Sequence, residues 1–155
     1  MSLLRNSIFI IIAVAMALVS CNRQMIYSHY ESVNTEGWDR SDSKEFSVSI
    51  QEKGSYAESF GLRTTRDYPY TNLAIIVTQE VKPSGVQRAD TLNIDITDSE
   101  GNNVVEGINY RQRDVQLPAI LLEAGDSVFV NIRHYMRREV LPGIANVGFS
   151  MEKTD

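Results

Sequence analysis

The sequence predicts an all-β protein, built as a single antiparallel β-sandwich domain with jelly-roll-like topology. Apolar and polar residues alternate with a period of two in several short segments, and turn-forming residues separate those segments. No long segment has the 3.6-residue period of an amphipathic helix. Short alternating strands between turns are typical of a sandwich rather than of a parallel α/β sheet. A closed sheet of about six to eight strands is the alternative.

The first twenty residues have the parts of a bacterial export signal. Arg5 supplies a positive charge, residues 8–19 are twelve apolar residues without interruption, and Ser20 is a small residue before Cys21. As a helix, this apolar run would span about 18 Å, less than a bilayer core of about 30 Å. The ending Leu18-Val19-Ser20-Cys21 resembles the lipobox of bacterial lipoproteins. We expect cleavage between Ser20 and Cys21 and acylation of Cys21, by chains such as palmitate. An ordinary secretory signal is the alternative.

Cleavage after residue 20 leaves 135 of the 155 residues, the length of one domain. The formal net charge then changes from −5 to −6, because Arg5 is lost. An acidic chain without basic runs argues against nucleic acid as a partner and against electrostatic binding to anionic lipid. Membrane attachment is therefore expected to come from acyl chains on Cys21. A lone cysteine also excludes a disulfide within the chain.

We divide the mature chain into a lipidated tether and lead-in segment, residues 21–42, and a β-sandwich domain, residues 43–155. The tether is polar and has no sustained period. Strands are predicted in the domain at 46–50, 60–62, 73–81, 91–96, 104–110, 115–122, 128–132 and 147–151. Turns are predicted at 98–103 and 124–126. Pro118 within its segment suits an edge strand or a bulge, and the segment 73–81, apolar on both faces at first, suits a central strand.

The two histidines, His29 and His134, belong to no pattern of catalytic or metal-binding residues. We interpret His134 as a strand-end residue with its polar edge at the rim. The alternative, a catalytic histidine, requires a nucleophile and an orienting acid. No Gly-x-Ser-x-Gly motif, phosphate loop, dinucleotide fingerprint or zinc-ligand spacing is present. We therefore predict a protein that is not an enzyme and uses no metal or cofactor.

Two small-ligand sites are possible alternatives. One is a calcium site, with oxygen ligands from Asp95, Asp98, Glu100, Asn102 and Asn103. The spacing does not match a helical calcium loop, and we favour a hairpin turn for this segment. The other is a sugar site lined by Trp38, Tyr68 and Tyr70. Large aromatic residues in a sandwich more often fill the core or the rim.

Two segments combine arginine, tyrosine and apolar residues, as protein interfaces do. Arginine pairs with carboxylates through a planar fork of five donors, and tyrosine supplies rigid contact area. The alternative is a solvated sheet edge that prevents unwanted strand pairing. The candidate partner surface consists of Arg66, Tyr68, Tyr70, Arg133, Tyr135, Arg137 and Arg138.

Several segments together resemble the gliding-motility lipoprotein GldH family of the Bacteroidota. They are residues 37–42, 62–73, 90–92, 98–101, 132–137 and 143–153, in this order after the lipobox cysteine. The most specific are Arg-x-x-x-x-Tyr-Pro-Tyr-x-Asn-Leu, beginning at Arg63, and the His-x-Met-Arg and Val-Gly-Phe pair, beginning at His134 and Val147. The resemblance covers nearly all of residues 21–153.

The resemblance implies a lipid-anchored, non-enzymatic accessory component of an envelope or motility assembly, with an envelope protein as its partner. It supplies no catalytic residues. Because residues 22–26 contain no Asp or Glu, whereas surface-exported lipoproteins of this phylum tend to carry an acidic run there, it also implies an outer-membrane protein that faces the periplasm. The alternative is a small module that binds glycan or calcium, which would need a pocket with convergent polar groups.

Overall fold

The structure is a computed structural model that describes residues 24–96 and 110–154. Ten strands lie in this part of the chain: β1 (Gln24–Ser32), β2 (Trp38–Asp39), β3 (Lys44–Ser49), β4 (Gly54–Thr64), β5 (Asn72–Lys82), β6 (Val86–Asp95), β7 (Arg111–Leu122), β8 (Ser127–His134), β9 (Val140–Leu141) and β10 (Ile144–Lys153). The signal peptide, Cys21, the turn at 98–103 and the strand at 104–110 are predictions that lie outside the described residues.

Eight long strands form two antiparallel sheets of four strands each. The first sheet has the order β1-β10-β4-β7, and the second has the order β3-β8-β5-β6. The short strands β2 and β9 pair separately. If only the long strands are counted, the orders are 1-8-3-6 and 2-7-4-5, which is the arrangement of a jelly roll. The all-β fold class and the antiparallel sandwich predicted from the sequence are confirmed.

The core lies between the sheets and is built by the alternating segments. In β8, Val128, Val130 and Ile132 are buried, while Phe129 and Arg133 on the opposite face are exposed. The same alternation places Val147, Phe149 and Met151 of β10 inside. Burying a side chain of this size contributes about 1.5–3 kcal/mol. One buried face per strand is therefore what produces the period of two in the sequence.

Residues 24–42 differ from the tether that the sequence predicted. Gln24–Ser32 form β1, which pairs with β10 at the edge of the first sheet. Trp38, in β2, is completely buried. The alternation in β1 is weak because most of its side chains are exposed and a bulge interrupts the ladder between Met25 and Tyr27. The segment therefore lacks the apolar face that identifies a strand in sequence.

Pro118 lies in β7, at the other edge of the first sheet. The pairing of β4 with β7 shifts at this point, since Tyr56 pairs with Ile120 and Glu58 pairs with Leu117. Pro118 thus occupies both of the settings in which a strand tolerates proline, an edge and a bulge. In the second sheet, β5 is an internal strand, as its apolar sequence predicted.

The loops gather at two opposite ends of the sandwich. Gln24 pairs with Lys153 at one end, which also carries the turns at 50–53 and 123–126. We call this the N-terminal end, because Gln24 follows Cys21 by three residues. The loops 33–43, 65–71 and 135–143 lie at the other end, which we call the rim. Among the described residues, no helix has the length and apolar character needed to cross a membrane.

Candidate functional site: an arginine rim

The structure brings the two predicted partner segments together at the rim. The backbone N–H of Tyr135 donates to the carbonyl of Ala74 at 2.7 Å, continuing the pairing of β8 with β5. The Sδ atom of Met136 lies 3.3 Å from the backbone nitrogen of Ala74. The Tyr68 hydroxyl donates to the carbonyl of Asn72, the first residue of β5, at 2.8 Å. The segment 133–138 therefore contacts the start of β5, directly after residues 66–71, although the two segments are far apart in sequence.

Loop 135–143, which carries most of the segment 133–138, is held in place by hydrogen bonds to its backbone. Arg40 Nη2 donates to the carbonyl oxygens of Met136 at 2.6 Å and Arg137 at 2.5 Å. The backbone N–H of Arg40 also donates to the carbonyl of Glu139 at 2.8 Å. The pairing of β2 with β9 then closes the loop. These bonds fix the main chain of the loop, so its exposed side chains project from a defined support.

His134 is buried at the end of β8 and also supports this loop. Its Nε2 lies 3.1 Å from the carbonyl of Glu139, which can only accept, so Nε2 donates the hydrogen bond. Nδ1 then accepts from the backbone N–H of Met136 at 3.4 Å. The ring stands edge-on to Trp38, with 5.3 Å between centroids. Burial lowers the pKa of His134 below its ordinary value of 6.5, which favours the neutral form that this arrangement requires.

Gly143 allows the loops 65–71 and 135–143 to approach each other. Its φ of +77° lies in the left-handed region, and a Cβ atom there would overlap the backbone of Tyr68. The carbonyl of Gly143 accepts a hydrogen bond from the N–H of Thr65 at 2.8 Å. The start of the Arg66 segment is thereby fixed against the loop that precedes β10.

Five exposed side chains project from this support, and we call them the arginine rim: Arg66, Arg133, Tyr135, Arg137 and Arg138. Tyr135 is 65 % exposed. None of the four arginines forms an ion pair within residues 24–96 and 110–154. Asp67 and Glu139 lie in the same two loops, and loop 33–43 adds Arg40 together with three acids, Glu36, Asp39 and Asp42. The formal charges of the three loops and Arg133 therefore balance, and the arginine rim is a local cluster of exposed guanidinium groups within this end of the sandwich.

The structure places two of the aromatic residues singled out in the sequence, Trp38 and Tyr68, in the core, and this corrects the prediction for Tyr68. Tyr68, predicted as part of the partner surface, is only 5 % exposed, and burial raises the pKa of its hydroxyl. Its ring packs edge-on against Tyr70, at 5.6 Å between centroids, and Tyr70 is half-buried. The alternative of a sugar site at Trp38, Tyr68 and Tyr70 does not agree with the structure, because Trp38 and Tyr68 are core residues, as the favoured interpretation of these aromatics expected. Both hydrogen-bond inward instead, Trp38 through Nε1 to the carbonyl of Asp42 at 2.6 Å.

The calcium hypothesis rests mainly on residues 98–103, which the structure does not describe. Asp95 is exposed at the end of β6. Among residues 24–96 and 110–154, no three His, Cys, Asp or Glu side chains are grouped so that they could hold a metal ion.

A buried charged network was not predicted from the sequence. Glu58 on β4 is completely buried, accepts from Gln79 Nε2 at 3.0 Å and forms an ion pair with Arg88 Nη2 at 2.6 Å. Arg88 also pairs through Nε with Asp90 at 2.8 Å and donates to the carbonyl of Pro118 at 3.1 Å. The network connects β6, an edge strand of the second sheet, with β7, an edge strand of the first sheet. Its one signal in the sequence is an acid at an inward position of β4, between buried apolar residues.

Comparison with known proteins identifies the family. A family model described as GldH lipoprotein matches residues 25–151. The chain belongs to the GldH lipoprotein family. The family resemblance predicted from the sequence is thereby confirmed.

Two curated relatives match nearly the whole chain. One, from Flavobacterium johnsoniae, is named gliding motility lipoprotein GldH and is 27 % identical over 98 % of this chain and 99 % of its own. The other, from Christiangramia forsetii, is named gliding motility lipoprotein GldH homolog and is 30 % identical over 96 % of each chain. The GldH match thus extends across the rim as well as the core.

Solved structures are only distantly similar. Tripeptidyl peptidase 2 covers 81 % of this chain with 10 % of its own, at 9 % identity and a TM-score of 0.48. A family 35 carbohydrate-binding module from Clostridium thermocellum covers 88 % of this chain and 100 % of its own, at 12 % identity and a TM-score of 0.41. Similarity at this level carries no functional information.

Proposed function

We propose that this GldH-family protein is a lipid-anchored, non-enzymatic subunit of an envelope assembly that serves gliding motility. In this proposal Cys21 carries the acyl chains, and the arginine rim contacts an acidic surface on an envelope protein. The observation that carries the proposal is the position of the rim. It lies at the end of the sandwich opposite to Gln24, which follows Cys21 by three residues.

The geometry supports contact at a distance from the membrane. Gln24 lies three residues after Cys21 in the sequence, at the N-terminal end. From there the nine residues of β1 extend towards the rim, about 30 Å at roughly 3.3 Å per residue. A protein anchored at Cys21 would therefore hold its N-terminal end near the lipid and present the rim to partners.

The chemistry of the rim supports an acidic partner. Four arginines without ion pairs among the described residues can offer their guanidinium forks to carboxylates. Tyr135 adds an exposed aromatic ring beside them. Since Arg40 and His134 already fix the loop backbone, binding would order side chains rather than main chain, which lowers its entropic cost.

The location is proposed to be the outer membrane, with the domain facing the periplasm. The support is the sequence Asn22-Arg23-Gln24-Met25-Ile26, which has no acidic residue. Protease treatment of intact cells tests this orientation. Protection of the domain until the cells are lysed is expected, and efficient digestion without lysis would place the domain on the cell surface.

A double charge reversal tests the rim. Arg66→Glu with Arg137→Glu should abolish co-purification with the envelope partner and complementation of a deletion strain. Because both side chains are exposed, the free energy of unfolding should change by no more than about 0.5 kcal/mol. Lys53→Glu with Lys82→Glu makes the same change in net charge at the N-terminal end, and should retain the partner. Full complementation by the Arg66/Arg137 variant, or failure caused by unfolding, would disprove the rim as the contact surface.

The anchor is tested separately with Cys21→Ala. The protein should then remain as uncleaved precursor or appear in the soluble fraction. Normal maturation together with membrane retention that resists washing would show that Cys21 is not the anchor.

A further inference from the structure

The outer face of the second sheet is concave and encloses a groove of about 750 Å³. This lies within the range of about 300–1,000 Å³ that is typical of ligand sites. None of the five arginine-rim residues lines the groove, although Arg133 is the next outward residue of β8 after Asn131. We propose that the groove binds an uncharged saccharide chain.

The register of the sheet builds the groove from two rows of side chains that cross all four strands. The first row consists of Glu45, Asn131, Thr78 and Ala89. The second row consists of Ser47, Phe129, Glu80 and Gln87. Small residues in both rows leave room above the sheet. Because the support is a sheet ladder, the backbone positions from which these side chains project are fixed before any ligand arrives.

Phe129 provides the apolar surface of the groove. It is 40 % exposed at an outward position of β8, whereas its neighbours Val128 and Val130 are buried. The small residue Ser47 stands beside it on β3. Lys82 Nζ lies over the ring, 5.0 Å from its centroid. A sugar ring has an apolar C–H face and a polar edge, so it can pack on the aromatic ring once the flexible Lys82 side chain moves aside, where its ammonium group can donate to a hydroxyl.

The remaining side chains are hydrogen-bonding groups suited to sugar hydroxyls. Asn131 Nδ2 donates to Glu45 at 3.3 Å, and the Thr78 hydroxyl donates to the carbonyl of Asn131 at 3.4 Å. Both distances exceed the usual 2.7–3.2 Å, so these groups can rearrange towards a ligand. Gln87 contributes an amide and Glu80 a carboxylate. Donors and acceptors are both present, as a polyol requires.

The charges favour a neutral saccharide over an anionic one. Glu45 and Glu80 line the groove, and the Glu80 carboxylate lies 3.8 Å from Lys82 Nζ. Arg88, which also lines it, is already paired with Glu58 and Asp90. Little positive charge therefore remains within the groove itself for an acidic ligand. Carboxylates instead accept hydrogen bonds from hydroxyl groups without repulsion.

The test uses the mature acylated protein in a polyoxyethylene detergent, which avoids sugar-based micelles. The probes are maltohexaose, cellohexaose and xylohexaose, with the hexamer of galacturonic acid as the anionic comparison. We expect calorimetry to detect at least one neutral hexasaccharide with a Kd of about 1 mM or tighter, which is a modest affinity. Phe129→Ala and, separately, Gln87→Ala should weaken this binding at least about tenfold, or 1.4 kcal/mol.

The matched control is Leu121→Ala, which removes another exposed apolar side chain, on β7 of the first sheet. It should bind like the wild type. Gln87 is exposed on an edge strand, so Gln87→Ala tests the site even if Phe129→Ala loses stability. Arg66→Glu with Arg137→Glu should also bind normally, whatever its effect on the protein partner. The proposal is overturned by no binding of any neutral hexasaccharide, by tighter binding of the anionic probe, or by equal losses in the groove and control variants.

Discussion

The hydroxyl of Tyr30 donates a hydrogen bond to Oδ1 of Asp114 at 2.9 Å, and so connects the two edge strands of the first sheet. The residues occupy one row across the sheet, Tyr30–Gly148–Gly61–Asp114. The Tyr30 ring lies over both glycines, whose missing side chains provide the space. Arg63 Cζ lies 4.0 Å from the ring centroid. One side chain from β1 therefore covers the outer face of β10 and β4 and is held at β7.

Removing this hydroxyl should destabilise the fold. Burial and the Asp114 carboxylate raise the pKa of Tyr30 to about 12, so the hydroxyl remains a donor at neutral pH. Hydrogen bonds to charged groups contribute about 1.5–3 kcal/mol, and partial exposure reduces this. We expect Tyr30→Phe to lower the free energy of unfolding by about 1 kcal/mol in urea denaturation. Tyr110→Phe, at a tyrosine that is 51 % exposed, is the control and should change little. Equal effects would contradict the role of the bond.

The close approach of Tyr30 to Gly61 should make even alanine unfavourable there. A Cβ at Gly61 would overlap the Tyr30 hydroxyl and ring, and one at Gly148 would lie 2.6 Å from ring carbons. Gly61→Ala should therefore destabilise by about 1–3 kcal/mol, as overpacking does. In a Tyr30→Ala background the cost of Gly61→Ala should largely disappear. A double-mutant cycle measures this coupling, and purely additive effects would show that the ring is not what excludes the Cβ.

Loss of Arg88 should be costly because its partner is buried. Burial raises the pKa of Glu58, while Gln79 and Arg88 oppose that rise. Arg88→Met leaves the carboxylate without its cation, and breaking a buried pair typically costs about 3–5 kcal/mol. The exposed pair of Lys53 and Glu123 is the comparison, and Lys53→Met should cost at most about 1 kcal/mol. Adding Glu58→Gln to Arg88→Met should recover part of the stability, because no buried charge then remains. Similar costs for Arg88→Met and Lys53→Met would contradict the conclusion that burial of the partner makes the loss of Arg88 costly.

His134 should make stability fall at acidic pH. Its pKa is lowered in the folded protein, whereas the unfolded chain titrates near about 6.5. The unfolded state therefore binds more protons as the pH falls below that value, and the free energy of unfolding decreases through the folded pKa. Denaturation at pH 7.5 and 5.5 should show a smaller loss for His134→Gln than for wild type. His29→Gln, at an exposed residue of β1, should retain the wild-type loss. An unchanged pH dependence in His134→Gln would contradict this assignment.

The sequence predicted the strands that bury one face, such as β8 and β10, because burial produces the alternating pattern. It did not predict β1, which is an edge strand with few buried side chains. Eight long strands lie in residues 24–96 and 110–154. The strand predicted at 104–110 falls outside these residues except for Tyr110. The fold class could thus be predicted from the sequence, but the organisation of its N-terminal region could not.

The candidate sites, too, could be predicted only in part from the sequence. The sequence identified the arginines of the rim by type, but it did not separate the buried Tyr68 from the half-buried Tyr70. Burial here depends on contacts with distant parts of the chain, such as that of the Tyr68 backbone with Gly143. The groove and the Glu58–Arg88 network were also missed, because each joins side chains from strands that are distant in sequence. Strand register decides which side chains from different strands lie together, and this register could not be read from the single sequence.

The position of β1 has a mechanical consequence for a protein that is anchored at Cys21. A partner pulling on the rim would load the molecule between its two ends, along the axis of β1. The force would then run parallel to the β1–β10 ladder, which extends from Gln24 to Ser32. In this shearing direction the hydrogen bonds resist together, whereas peeling the strand sideways would break them one after another. If Cys21 carries the anchor, the edge strand that follows it is thus oriented to transmit tension.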